Sequence, residues 1–314
     1  MKKKLFISFL TLTITLSFTL KTNISKEKYI QLYNQEYKTS YLTDFKWNGS
    51  KLFCNQGVLK EKQLKAAEKR INFFRKLVGL HTITLIDSLN HKAQHAAFLI
   101  LKNNKTSHYP TSDWKCYIKD YSRDAAGNSN IGFYDYFDIQ KDTINPIDGF
   151  IEDYGNINID VGHRRWILYS QLMNIGYGST PKTEAVYILQ ENSSNKDSFP
   201  KYIAYPPNGY ISEDLIFPKF SFSIPEINTV DFSKAEIKMY KDKKPLSIRK
   251  HYSKKLYGDP TIIWEVNSLF KKKNNISYFR TKYLNTELTI NINNVIINGI
   301  SKDFMYTVTV IPKP

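Results

Sequence analysis

The sequence predicts an α+β protein in which helices come first and strands follow. Leu64, Ala67, Ile71, Phe74 and Val78 recur at helical spacing, and so do Leu89, Ala93, Ala96, Ala97 and Ile100. Beyond about Pro225 the apolar residues alternate instead, at Ala235, Ile237 and Met239, at Leu288, Ile290 and Ile292, and at Tyr306, Val308 and Val310. The first part therefore suits an α+β or layered αβα pattern, and the second a small antiparallel β-sandwich.

In chain order, the N-terminus reads MKKK and then LFISFLTLTITLSFTL, the basic and apolar regions of a secretory signal peptide over residues 1–21. No A-x-A marks a cleavage point; Ser17 and Thr19 are the nearest small residues, and an uncleaved anchor is the alternative. No second apolar run approaches the ~18 residues of a membrane helix, so no transmembrane helix is expected after the signal peptide. Residues 22–62 are rich in Lys, Tyr and Asn without a sustained apolar period, which predicts a leader that hugs the surface. The two periodic stretches then form helices. Gly79 stops the first, and Asp87 or Ser88 caps the second by accepting from first-turn amides. Pro110 crowds Tyr109 out of helical angles and ends this region. NPIDGFIEDYG predicts a short helix with Asn145 as cap, Pro146 in the first turn and Gly155 as terminator. RRWILYS and EAVYILQ read as strands, separated by a glycine turn around Gly176 and Gly178. The layout is a signal peptide 1–21, a leader 22–62, a mixed domain 63–225 and a β-sandwich domain 226–314.

With 41% hydrophobic and 14% aromatic residues, the 314-residue chain is globular and long enough for two cored domains. Its net charge is +16, or +12 once the four lysines of residues 1–21 are removed. The lysines are scattered, with short runs at Lys243-Lys244 and Lys271-Lys272-Lys273. A solvated surface fits that pattern better than the one-sided basic patch of a nucleic-acid binder, so nucleic acid is not an expected partner. Cys54 and Cys116, in an exported chain, point to one disulfide; two separate buried thiols are the alternative. The signal peptide implies a secreted or periplasmic protein.

Six histidines are present. His91 and His95 have the spacing with which two imidazoles grip one metal from a helix face, but Lys92 stands where a zincin carries its glutamate, and both rings are expected in solvent. His108 and His163 lie on a loop and at a strand entrance, a setting in which backbone holds a side chain over a cleft. On a strand, Arg164 and Arg165 would take opposite faces, one pairing with Asp153 or Asp160 and the other facing solvent. Gly162 would ease the backbone into that strand.

INFFRKLVGL, AQHAAFLILKNNKTSHYP, SDWKCY, IEDYGNINIDVGHRRWIL, and AYPPNGY followed by KFSFSIP together resemble a bacterial branch of the CAP superfamily. These are the SCP-like relatives of cysteine-rich secretory proteins, antigen 5 and plant pathogenesis-related proteins. The resemblance covers residues 54–225 in family order, and GHRRWIL is its most specific piece. It implies a three-layer αβα sandwich with a central antiparallel sheet and an open cleft, followed by a β-rich tail. It also implies a cleft with two histidines and two acids able to bind a divalent cation. His108 in TSHYP and His163 in VGHRRW match the histidines, and Asp153, or else Glu152, matches one acid. The other family acid lies in a Gly-Glu-Asn turn, where this chain reads AAGNSN and offers only Asn128, which brings no charge.

Two readings of the cleft stay open: a three-ligand zinc site of His108, His163 and Asp153, with water in the fourth position, or a polar cluster that supports the fold. The missing acid favours a non-catalytic binding module for a lipid, a protein or another extracellular ligand. The alternative is a metal-dependent extracellular hydrolase or peptidase using the same three residues. A metal-free route through Ser107 lacks the G-x-S-x-G elbow, and no catalytic residue is assigned.

Overall fold

The computed structural model describes residues 23–41, 46–134, 146–188, 199–225, 229–251, 257–273 and 276–314. The signal-peptide segment and the proposed cap Asn145 lie outside them. Helices and several sheets are both present, so the chain is α+β. The helical part holds α1 (Lys26–Leu32), α2 (Glu61–Leu77), α3 (Asp87–Asn103), α4 (Tyr121–Gly127), α5 (Pro146–Glu152) and α6 (Gly162–Ile167). Among them run β1 (Thr84–Leu85), β2 (Ser129–Phe133), β3 (Asn174–Ser179) and β4 (Thr183–Ile188).

These four strands form one sheet in the order β1-β3-β4-β2, with β1 parallel to β3 and the other pairs antiparallel. Side chains of β4 alternate between two cores, as strand geometry requires. Ala185 and Tyr187 pack with Leu89, Ala93, Ala97 and Ala125 of α3 and α4. Val186 and Ile188 join Ile71, Phe74, Ile147 and Phe150 of α2 and α5.

Gly176 and Gly178 are not a turn; they sit inside β3 because α3 lies on its backbone. A Cβ on Gly176 would stand 2.0 Å from the Leu89 carbonyl oxygen, and one on Gly178 would stand 2.2 Å from the Gln94 nitrogen. Since β1 is only two residues long, the outer amides of Tyr177 and Ser179 have no strand partner there. They donate instead to Asn90 Oδ1 and Gln94 Oε1 of α3, both at 2.9 Å. That arrangement satisfies the buried backbone groups.

Other local expectations change for identifiable reasons. Neither Asp87 nor Ser88 caps α3: the N-cap position is Ile86, and no side chain bonds the first turn there. α5 is followed by Asp153 in the left-handed region at φ +54°, two residues before Gly155. RRWILYS is not a strand, since α6 runs through GHRRWI. Residues 22–62 do not merely hug the surface. Tyr29, Tyr33 and Tyr37 recur every fourth residue through α1 and the wider turn Tyr33–Tyr37, and all three are buried. Their hydroxyls reach Ser212 Oγ at 2.6 Å, Asp214 Oδ2 at 2.8 Å and Asp148 Oδ2 at 2.8 Å. A tyrosine buries its ring while its hydroxyl keeps a partner, so an apolar period written in tyrosine was easy to miss.

The remaining strands are β5 (Ile203–Tyr205), β6 (Gly209–Ser212), β7 (Lys219–Ser223), β8 (Val230–Asp231), β9 (Glu236–Lys241), β10 (Lys244–Leu246), β11 (Arg249–His251), β12 (Thr261–Glu265), β13 (Phe270–Lys273), β14 (Ile276–Phe279), β15 (Glu287–Ile297) and β16 (Ile300–Ile311). One sheet runs β10-β9-β15-β16-β6 with β8 beside β15, another β11-β12-β7-β5, and β13-β14 form a ribbon. The alternating residues of β15 and β16 are buried as their period requires. Tyr202 and Phe222 on one side meet Phe304 and Tyr306 on the other, with ring centroids 5.1 to 6.4 Å apart. Hydrogen bonding crosses the expected boundary at 225/226, since β7 pairs with β12 and β6 with β16. The β6–β16 pair is parallel, so the β-rich part is not purely antiparallel.

Candidate functional site

His108 and His163, 55 positions apart in the sequence, line one cavity of about 420 Å³. Its walls come from the loop after α3, the α4–β2 junction, the turn at Ile157–Asp160, α6, Ile188 and Tyr257. Gly162 has a different role from the one expected. A Cβ there would stand 3.0 Å from the Tyr257 ring, so glycine lets that ring close against α6. Val161, just before, is fully buried at φ +42°, which is unfavourable for a β-branched residue.

Each imidazole is fixed through Nδ1. His108 Nδ1 lies 3.1 Å from the Ala126 carbonyl oxygen, and His163 Nδ1 lies 2.8 Å from Asp153 Oδ1. A carbonyl and a carboxylate only accept, so in the neutral rings both Nδ1 atoms carry hydrogen and both Nε2 atoms are left as acceptors for the cleft. Burial lowers the His108 pKa, and the charge of His163 adds to that, partly countered by the Ala126 carbonyl.

Asp153 is 1% exposed and serves His163 from behind. Its Oδ2 also accepts from the His163 amide at 2.9 Å and the Arg164 amide at 3.4 Å. It therefore stands on the Nδ1 side of His163, away from the atom that would bind a cation. Glu152 does not line the cavity. Asn128 does, with its amide donating to Asp124 Oδ1 at 2.8 Å. Among the described residues no three His, Cys, Asp or Glu side chains come together in a way that could hold a metal ion. The three-ligand zinc set expected from His108, His163 and Asp153 does not fit this arrangement, because its carboxylate supports a ligand instead of being one.

Both arginines of GHRRW are buried, which corrects the expectation that one faces solvent. Arg164 donates through Nε to Ile151 O at 2.6 Å, and through its terminal nitrogens to Lys219 O at 2.8 Å, Ser221 Oγ at 3.3 Å and Glu152 O at 3.3 Å. Burial lowers its pKa to about 10, which still leaves it charged near neutrality. Arg165 reaches the Asp259 carbonyl at 3.3 Å, and Asp259 itself accepts from the amide and hydroxyl of Ser170. Lys219, also buried, donates to the carbonyls of Asp153 at 2.6 Å, Gly155 at 2.9 Å and Asn158 at 2.8 Å. Two buried cations thus hold the backbone that forms one wall of the cleft. Lys219 and Tyr257 escaped the sequence reading. The only signal for Lys219 was a lysine heading the apolar run KFSFSIP, and for Tyr257 there was none.

The other histidine pair is not a metal site. His91 is exposed as expected, but His95 is 3% exposed, with Nδ1 3.1 Å from Gln56 Oε1 and Nε2 2.8 Å from Ser122 Oγ. His95 is buried because α4 and the 46–58 loop cover the side of α3 that helical spacing assigns to water. Burial lowers the His95 pKa to about 4. An unfolded histidine titrates near ~6.5, so as pH falls the unfolded state takes up this proton first. Its contribution to stability is full above about pH 6.5 and is lost progressively towards pH 4. His95→Gln is therefore expected to flatten the stability profile over that window by about 3 kcal/mol, read from urea melts at several pH values. An unchanged slope would mean that the ring is not buried in its neutral form.

Comparison with protein-family profiles gives no match, and neither does comparison with curated proteins. The chain is similar to an extracellular protein containing an SCP domain from Bacillus anthracis str. Ames, known from a 1.5 Å crystal structure. The similarity has a TM-score of 0.30 at 16% identity and covers 43% of this chain and 45% of that one. The chain thus spans less than half the length of that relative.

Proposed function

We propose that the chain is an extracytoplasmic, CAP/SCP-like binding protein that holds a small extracellular ligand between His108 and His163 without transforming it. On this reading residues 63–225 supply a three-layer αβα unit that carries the cleft, and the β-rich remainder braces it. The single observation behind the reading is that both imidazoles line one cavity, each tethered through Nδ1 and leaving Nε2 for an incoming hydrogen-bond donor. The two histidines belong to separate segments of the family resemblance. The disulfide between Cys54 and Cys116 supports export, as does the N-terminal basic and apolar sequence. No helix among the described residues is long and apolar enough to cross a membrane.

Binding without chemistry is the better reading because, among the described residues, the groups named for a hydrolase are engaged elsewhere. Asp153 is committed behind His163, and Ser107 Oγ accepts from the Tyr109 amide at 3.0 Å in its own loop. The test is to purify the protein, measure bound zinc and casein cleavage with and without chelator, and analyse an organic extract by mass spectrometry. We expect no stoichiometric zinc, no turnover, and a small molecule that is missing from the His108→Ala/His163→Ala variant. Stoichiometric zinc with chelator-sensitive cleavage would establish the enzyme instead.

Asp153→Ala supplies a second check. It removes a buried carboxylate with three donors and is expected to cost about 2 kcal/mol or more in a urea melt. It should also abolish co-purification of the small molecule, because the His163 ring loses its orientation. Retention of the molecule at the wild-type level would show that the His163 orientation does not matter for binding.

A further inference from the structure

Leu52 and Phe53 are neighbours, 78% and 79% exposed, at the tip of a short hairpin. Scattered exposed apolar residues are ordinary, but this tip is braced from every side. Ser50 and Asn55 exchange two backbone hydrogen bonds of 2.7 and 3.0 Å. Behind them Trp47 Nε1 donates to Gln56 O at 2.9 Å, and the Val58 amide donates to Asn48 Oδ1 at 2.8 Å. Cys54, next to Phe53, is bonded to Cys116, and Lys102 Nζ donates to the Lys51 carbonyl at 2.5 Å. Asn103 in turn exchanges hydrogen bonds of 2.8 and 3.1 Å with the backbone of Lys115. Two large apolar side chains thus stand out in water on a stiff support, with the ordering cost of the backbone already met before any partner arrives.

The surroundings select the partner. Residues 46–60 carry Lys46, Lys51 and Lys60 and no acid; Lys102 touches the tip through the Lys51 carbonyl, and Lys115 precedes Cys116, the disulfide partner of Cys54. The acidic groups on the neighbouring segment are Asp113 and Asp120, with Asp113 accepting from the Thr111 hydroxyl. Ile118, 53% exposed, adds an apolar side chain two residues beyond Cys116. Two or three side chains fall far short of the ~800 Å² per partner that a stable protein interface buries. They suit a wedge that enters the boundary between headgroups and acyl chains while lysines meet lipid phosphates.

We propose that the Leu52–Phe53 hairpin is an interfacial anchor that docks this protein on an anionic lipid surface. The anchor is separate from the His108–His163 cleft and does not depend on how that cleft is read. The test sediments the full chain with vesicles of phosphatidylcholine alone or with about one third phosphatidylglycerol. The wild type is expected to prefer the anionic vesicles, with roughly fivefold weaker binding for each of Lys51→Gln and Lys115→Gln. Leu52→Ser/Phe53→Ser is expected to weaken binding at least about tenfold with an unchanged melting temperature, because both side chains already face water. Residues 1–21 are common to all variants, so the comparison reads the tip. Phe53→Trp reports insertion as quenching by dibrominated phosphatidylglycerol in excess of that of the four native tryptophans in the wild type. Equal partitioning of the double serine variant and wild type, or no quenching at position 53, would overturn the proposal. So would a wild-type dimer that the serine changes dissolve while lipid binding stays absent.

Discussion

Gly176→Ala is expected to cost more than about 3 kcal/mol, enough to leave little folded protein in a chain of ordinary stability. Overpacking is usually relieved by side chains that shift, but here the new methyl would meet the Leu89 carbonyl oxygen at 2.0 Å and its carbon at 2.1 Å. Both belong to the backbone of α3, so the helix itself must lift from the sheet. Lifting it would also break the hydrogen bonds from Tyr177 and Ser179 to Asn90 and Gln94. Gly178→Ala should behave alike. Gly127→Ala is the control, since the nearest atom to its added carbon, the His108 carbonyl oxygen, lies at 3.5 Å. Urea melts of the three variants decide the matter; a Gly176→Ala melt matching that of Gly127→Ala would mean that α3 does not lie on β3.

Arg164→Met is expected to cost about 3 to 5 kcal/mol. A buried ion pair can often be replaced by apolar groups at little loss, because both charged partners leave together. Here the main acceptors are the carbonyls of Ile151, Glu152 and Lys219, which no substitution at position 164 removes. They would remain buried without donors. Arg164→Lys keeps the charge but lacks the planar fork that spans separate carbonyls, so it should recover only part of the loss. Stability measured for the pair separates charge from geometry: equal stability of the lysine variant and wild type would show that charge alone matters.

The helices over 61–77 and 87–103 and the long strands β15 and β16 were legible because their burial follows one period through many residues. RRWILYS was misread as a strand because the helix that overlaps it, GHRRWI, has six residues, too few for a period to declare itself, and the two arginines were assigned by alternation. Basic residues were read as a solvated surface, yet Arg70, Arg75 and Arg164 are fully buried. Nothing in composition separates a lysine or arginine in water from one whose donors all meet carbonyls, since that depends on backbone brought from distant segments. Arg75, for example, collects the carbonyls of His81, Ile167, Tyr169 and Leu172. The histidines of the cleft could be picked out because motifs carry them. Tyr257, which completes a wall, comes from sequence that offered no motif at all.

The pairing of β6 with β16 has a consequence for how the molecule must be made. Gly209 is partnered by Ile24 on one side and by Val308 on the other. A chain emerging N-terminus first, from ribosome or export channel, reaches the middle position with its second neighbour still about a hundred residues from release. Until that neighbour is out, the edge stays open to strangers. The sheet therefore closes only after the last strand of the chain has been released.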